Sequence, residues 1–256
     1  MPEGLEAEIW ARAAGALVGR VIEAVDVDER VAAPDLAAAL TGRTVTGAGR
    51  RGKVVVVETD GPSLGLHLGM TGRVVVDGHA AIERLAYASG ADRPEWDRLR
   101  VRTTERDAIA LRMNDPRRLG RLSLDPDLDH LGPDALTLSA DELAPALGGR
   151  TAAVKAVLLD QRAVAGLGNL CADEVLFWAG IAPGRPAGSL TTGEIDALAA
   201  ACRERLPVML ADGGSTQGTL DPQARAALGA CALDGEGLRR ARFGGRTAVW
   251  CPLHQR

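Results

Sequence analysis

Apolar side chains recur with a helical period at the start of the chain and then change rhythm. In EGLEAEIWARAAGALVG they fall at Leu5, Ile9, Trp10, Ala13, Leu17 and Val18, which predicts one helix ending near Gly19. From there RVIEAVDV, RTVTGAG, KVVVVET, SLGLHLG, GRVVVDG, RLRVRTT and AIALRMN are short and rich in β-branched residues, broken by Gly, Asp-Gly and Pro signals. Closely spaced short strands predict a β-sandwich or barrel, with a longer loop through DRPEW within residues 78–97. Beyond DPRRLGRLSLDPDLDHLGPDAL the period becomes helical again in LSADELAPALGG, TAAVKAVLLDQ, NLCADEVLFWAG and LTTGEIDALAAACRERLPVMLAD, the first capped by Ser139. The final stretch returns to a β-hairpin with FGGR as its turn. The fold class expected is therefore α+β and multidomain: an N-terminal β-sandwich with a leading helix over 1–125, a helical domain over 126–225 and a C-terminal hairpin over 226–256.

Composition narrows the picture in three ways. The chain has 256 residues, enough for two domains with real cores, and no run of apolar residues long enough to span a membrane. The N-terminus lacks the basic segment and apolar stretch of a signal peptide, so a cytoplasmic protein is expected. Without export, Cys171, Cys202, Cys231 and Cys251 read as buried thiols or metal ligands rather than a disulfide framework. A net charge of −4 argues against whole-molecule attraction to nucleic acid but leaves room for a local basic groove. Lys53 and Lys155 are the only lysines in an arginine-dominated chain, which marks them as places where a compact ammonium is needed.

Several short motifs carry candidate chemistry. RRGKVVVVE, HLGMTG and NDPRRLGRL each read singly as a turn or strand end. Together they place Lys53, His67, Arg117 and Arg118 at strand ends of one β domain, where cations can converge on phosphates. GLGN, between two helical segments, reads either as a glycine-rich connection or as an anion-binding helix N-terminus beside Asn169. Cys231-x2-Asp234, then sixteen residues, then Cys251-x2-His254 has the spacing of a two-knuckle zinc site, the alternative being a metal-free hairpin. The opening PEGLEAE reads first as a helix start, with Pro and acids in the first turn. It also allows a second reading, in which Pro2 becomes a nucleophilic amine beside Glu3 and Glu6 once methionine is trimmed.

Seven signatures in order, MPEGLE, RRGK, HLGMTG, DPRRLG, HLGP, LLDQRAVAGLGN and the terminal hairpin, make the chain similar to the formamidopyrimidine-DNA glycosylase and endonuclease VIII family. The resemblance implies a β-sandwich, a helix-two-turn-helix domain and a zinc-finger-like hairpin. It implies a bifunctional glycosylase and abasic-site lyase acting on damaged double-stranded DNA as a monomer, with no membrane partner. Pro2 would be the nucleophile, Glu3 the general acid, Glu6 a supporting acid, and Lys53 a phosphate contact beside the lesion. Lys155 and Asn169 would clamp the backbone, Arg246 would bind flanking phosphates, and Met70 and Arg118 would fill the vacated stack and contact the orphaned base. The implied cofactor is one structural zinc on Cys231, Asp234, Cys251 and His254. Two departures concern substrate. Leu119 stands where the family often has phenylalanine, which loses stacking. Between Gly213–Thr216 and Cys231 the chain is also too short for the loop that closes over 8-oxoguanine. Two other readings stand beside the enzyme: a non-catalytic or lyase-only damage-binding protein, and an RNA-associated protein, which the scarcity of aromatic platforms disfavours.

Overall fold

The computed structural model describes residues 2–31, 35–85, 88 and 90–256, with the side chains of 106–108 outside that description. The chain divides into two compact units, Pro2 with Glu6–Leu128, and Glu3–Leu5 with Asp129–Arg256. No helix is long and apolar enough to cross a membrane.

The first unit is a sandwich of two four-stranded antiparallel sheets. Strands β1 (Ile22–Val27), β5 (Arg73–Val76), β6 (Asp97–Thr103) and β7 (Arg106–Asn114) form one sheet in the order β1-β6-β7-β5. Strands β2 (Val45–Arg51), β3 (Val54–Thr59), β4 (Leu64–His67) and β8 (Arg121–Leu124) form the other in the order β2-β3-β4-β8. Both sheets feed one core, with Val55, Leu66, Leu99, Leu111 and Met113 buried in it. Each such leucine stabilises the fold by about 1.5–3 kcal/mol.

Helix α1 (Gly4–Ala14) ends earlier than its apolar pattern suggests and continues as a 3-10 turn over Gly15–Leu17. Its buried face within this unit is Ala7, Trp10, Ala11, Ala14 and Leu17, while Val18 is exposed. Alanines at helical spacing thus define the packed stripe, rotated from the one traced by the larger side chains.

Two elements of this unit had no sequence expectation. The short helix α2 (Leu36–Leu40) is held by its two buried leucines. Strand β8 is four residues long, too short to show a period by itself, and is made a strand by register with β4, from Leu64↔Leu124 to His67↔Arg121.

The second unit contains α3 (Ala140–Leu147), α4 (Val154–Leu158), α5 (Asn169–Trp178), α6 (Thr192–Ala211) and α7 (Pro222–Ala227), followed by the hairpin β9 (Arg239–Phe243) and β10 (Arg246–Trp250). Ser139 with Glu142, and Thr191 with Glu194, make complete capping boxes that start α3 and α6. The hairpin turns at Gly244 and Gly245, both at positive φ (56° and 75°), as a tight two-residue turn requires. Leu5 lies in the helical core with Leu138, Leu143, Val157, Val175 and Leu198, so the N-terminal segment Glu3–Leu5 is part of this unit.

Candidate active site and nucleic-acid interface

Helix α5 begins without a side chain of its own to cap it; Gly168 is the N-cap. The cap comes from the other end of the sequence. The buried Glu3 carboxylate accepts N–H bonds from Gly168 (2.9 Å), Leu170 (2.8 Å) and Cys171 (3.1 Å). An anion at this helix N-terminus is favourable on both counts, unpaired N–H groups and dipole. The N–H groups of Gly168, Leu170 and Cys171 at the GLGN helix start are therefore taken by Glu3, which leaves the Asn169 side chain as the group there that could meet a phosphate. Gly168 is required by proximity, because a Cβ at this position would collide with the Glu3 carboxyl group.

Gln161 fixes the preceding turn, accepting from Gly166 N–H (3.0 Å) and donating to the Leu167 carbonyl (2.9 Å). Sequence reasoning missed this role, although the glutamine sits inside a quoted motif. Pro2 and Glu6 are buried, and Asn169 opens α5 with its Oδ1 buried and unpaired among the described residues.

In the β unit, the HLGMTG and NDPRRLG segments form one structure organised by Asp115. This buried carboxylate accepts from the Thr71 hydroxyl (2.6 Å) and from the N–H groups of Arg117 (3.2 Å), Leu119 (2.7 Å) and Gly120 (2.8 Å). Gly69, at φ 60°, lies so close to the Leu119 backbone that a Cβ would approach it to 2.5 Å. The pairing of the loops leaves Met70 and Leu119 exposed, at 37% and 43%, beside exposed Arg117 and Arg118. Large apolar side chains held outward by buried polar anchors are what an intercalating wedge needs.

Nearby, His67 accepts the Gly69 N–H at Nδ1 (3.3 Å), which leaves Nε2–H as a donor. Burial, reinforced by the charges of Arg121 and Lys53, pushes the His67 imidazole below its ordinary 6.5. Lys53 precedes β3, whose Val54 pairs with His67, so the structure brings both to one sheet end.

The hairpin carries the third group. Ligand atoms of Cys231, Asp234, Cys251 and His254 all lie within 4.8 Å of one another. Each thiol sulfur accepts a backbone N–H two residues on, Leu233 to Cys231 and Leu253 to Cys251, both at 3.4 Å. His254 donates Nε2–H to the Phe177 carbonyl (3.1 Å), which points Nδ1 at Cys231 (3.5 Å) and Asp234 (3.2 Å). A metal site oriented by an outer hydrogen bond on the second imidazole nitrogen has this form. The four residues can hold a metal ion.

Lys155 corrects another expectation. It is fully buried, its ammonium 2.7 Å from Asp173 Oδ1 and donating to the Thr247 carbonyl (2.7 Å). Asp173 also accepts from the Arg225 guanidinium and from Val249 N–H (3.0 Å), and Arg225 donates to the same Thr247 carbonyl (3.0 Å). Lys155 thus holds β10 to α5 and has no free face for a phosphate. Burial lowers its pKa against the opposing pull of Asp173. Arg246 is exposed at the start of β10, one residue before this anchor.

The comparisons agree along the whole chain. The model of the formamidopyrimidine-DNA glycosylase N-terminal domain matches residues 1–122, and that of the formamidopyrimidine-DNA glycosylase H2TH domain matches 131–220. A formamidopyrimidine-DNA glycosylase of Novosphingobium aromaticivorans is 37% identical over an alignment covering 100% of both chains. One of Paracoccus denitrificans is 41% identical over 72% of this chain and 67% of its own. Among solved structures, Lactococcus lactis Fpg bound to abasic-site DNA superposes with a TM-score of 0.80 at 26% identity, covering 99% of each chain. The MutM (Fpg) protein of Thermus thermophilus gives 0.78 at 31% identity, covering 99% of this chain and 98% of its own. On these matches, the chain belongs to the formamidopyrimidine-DNA glycosylase family.

Proposed function

We propose that this protein is a base-excision DNA glycosylase with abasic-site lyase activity, working through Pro2. The observation that carries the reading is the fixed position of Glu3, one residue from the prospective amine and bound by three N–H groups of the α5 start. With methionine removed, Pro2 presents an α-amino group that titrates near 8, roughly two units below a lysine, and is partly neutral at physiological pH. Its lone pair attacks C1′ of a flipped nucleotide; the glycosidic bond breaks, and the base leaves with the bonding pair and takes a proton from water. Glu3 receives the proton lost by the amine and returns it to the ring oxygen, which opens the sugar to an iminium on Pro2. The iminium acidifies C2′, so loss of a C2′ proton expels the 3′ phosphate.

Lys53, His67, Asn169 and Arg246 are the phosphate contacts, with Glu6 supporting the acid. Met70 and Leu119 form the wedge, Arg118 faces the orphaned base, and Arg117 joins the phosphate contacts. A mutant of Lactococcus lactis Fpg has been seen with DNA carrying Fapy-dG, and the wild-type protein with DNA carrying an oxidised pyrimidine, which supports a DNA-lesion substrate. Here the segment between Thr216 and Cys231 is taken up by structure. Thr219 and Leu220 N–H bind the Glu174 carboxylate at 2.9 Å, α7 is capped by Asp221, and Arg225 is tied to Asp173. With this segment so engaged, the reading favours a substrate that needs no closing loop: an oxidised pyrimidine, a ring-opened purine, a bulky adduct or an abasic site. Zinc is the metal for two thiolates, an imidazole and a carboxylate, and it would hold the hairpin knuckles together. The protein would work in the cytoplasm, on the nucleoid.

Borohydride trapping on duplexes carrying an abasic site, 8-oxoguanine, an oxidised pyrimidine or a ring-opened purine tests this. Trapping should occur on at least one base lesion and vanish in Pro2→Gly with DNA binding retained. Undiminished trapping by Pro2→Gly refutes the nucleophile. Failure of the unmodified protein on every duplex favours a damage-binding protein.

A further inference from the structure

One pocket of the β unit is ringed by arginines, of which Arg118 alone has a role above. It encloses about 260 Å³ and is lined by Arg30, Arg98, Arg118 and Arg121 with Gly120 and Leu122. No carboxylate lines it among the described residues. Arg98 is buried; it donates to the carbonyls of Asp115 (3.3 Å) and Glu95 (3.2 Å) and is ion-paired with Asp28. Arg30 and Arg118 also line the adjoining pocket, which carries Asp26, Asp28, Glu29, Glu95 and Asp97, so the cavity described here is the carboxylate-free side of these arginines. The charge of Arg118 bears on Arg98 and, after burial, is the next cause holding its guanidinium below the usual range.

Arg118 is also held in an unfavourable backbone conformation, φ 56°, which residues with a Cβ rarely adopt. Hydrogen bonds from its own N–H to the Asp115 carbonyl (3.3 Å), and from its neighbours to the Asp115 carboxylate, impose it. Backbone strain maintained by a buried anchor fixes the direction of a side chain, and strain of this kind clusters at binding sites. Several guanidinium forks around a pocket of this size match a phosphodiester, whose oxygens take paired N–H bonds.

We propose that this pocket binds a phosphate of the DNA strand opposite the lesion, with Arg30 and Arg121 joining Arg118 as its ligands. The strand assignment rests on the functional reading above, in which Arg118 and Leu119 share the loop that meets the orphaned base. Arg30 and Arg121 then hold the undamaged strand while the loop occupies the gap.

The test uses the full chain and duplexes with a stable abasic-site analogue, in which single phosphates of the opposite strand are replaced by uncharged methylphosphonates. One position should weaken binding about tenfold, the loss of one charge-assisted contact. Arg30→Ser should bind the unmodified duplex about that much more weakly and lose no further affinity at that position, while other positions keep their effects. Arg121→Ser should behave in the same way. A methylphosphonate effect that persists fully in both variants, or no sensitive position on that strand, overturns the proposal. So does a result in which Arg30→Ser changes only inhibition by inorganic phosphate at constant ionic strength, which would make this a site for free phosphate. Borohydride trapping by the same preparations separates the two readings. Loss of trapping in the unmodified protein counts against the enzyme, and an altered methylphosphonate pattern with trapping intact bears on the pocket alone.

Discussion

At the scale of single residues, the site depends on a few closely fitted atoms. Glu3 occupies the position where an N-cap side chain of α5 would otherwise sit, and Gly168 leaves just enough room for it. Gly168→Ala should therefore displace the carboxylate and slow borohydride trapping at least about tenfold, the effect of losing a positioned proton-transfer group. The far-ultraviolet circular dichroism should stay unchanged; an unaltered trapping rate would show that Glu3 need not be held there. His67 gives a pH signature. Its folded pKa lies below the ordinary 6.5, so the neutral form is favoured on folding, and its contribution to stability is intact above pH 6.5. That contribution is lost progressively as pH falls below 6.5 towards the folded value. Thermal melts should show His67→Gln less sensitive than the parent to acidification in that window. The residue types at Pro2, Glu3 and His67 were legible in the sequence. The partner of Glu3 was not, since 165 positions separate it from Gly168.

At the scale of elements, α5 joins three parts of its unit. Its N-terminus binds Glu3, Asp173 in its middle holds the two cations that fix β10, and the carbonyl of Phe177 near its end orients His254. Two buried cations sharing one carboxylate make Asp173 the sensitive member. Asp173→Asn leaves both uncompensated and should cost about 3–5 kcal/mol in stability, read from denaturant unfolding. Lys155→Met replaces a buried cation by an apolar chain of similar length and should cost less. It should also leave the salt dependence of DNA binding unchanged; a flattened slope would restore Lys155 as a phosphate contact. Periodicity revealed α3, α4, α5 and α6, and capping boxes add to it for α3 and α6. It did not reveal α2, β8 or α7, because four to six residues hold too little pattern and are set by neighbours such as β4.

At the scale of the whole molecule, the chain aligns with family members over its full length, and its hairpin gathers Cys231, Asp234, Cys251 and His254. Elemental analysis of chelator-washed protein should find about one zinc per chain. Forced removal should melt the hairpin knuckles and weaken DNA binding, while a folded and fully active metal-free protein would exclude a structural metal. Arg246→Ala should weaken binding to all sequences alike and lower the salt slope by about one, as loss of a phosphate contact does. An unchanged slope would remove Arg246 from the interface.

The sequence by itself determined the strand and helix rhythm, the hairpin turn, the N-terminal Pro-Glu pair and the four metal-ligand candidates. These are local: each is written in a few adjacent residues or in a spacing that chain geometry preserves. Tertiary structure alone decided that the GLGN helix start receives Glu3, that Lys155 is consumed by Asp173 and Thr247, and that Asp115 binds two loops into one reading edge. In each case a charged or polar group removed from water must find its partner, and that partner lies far away in sequence.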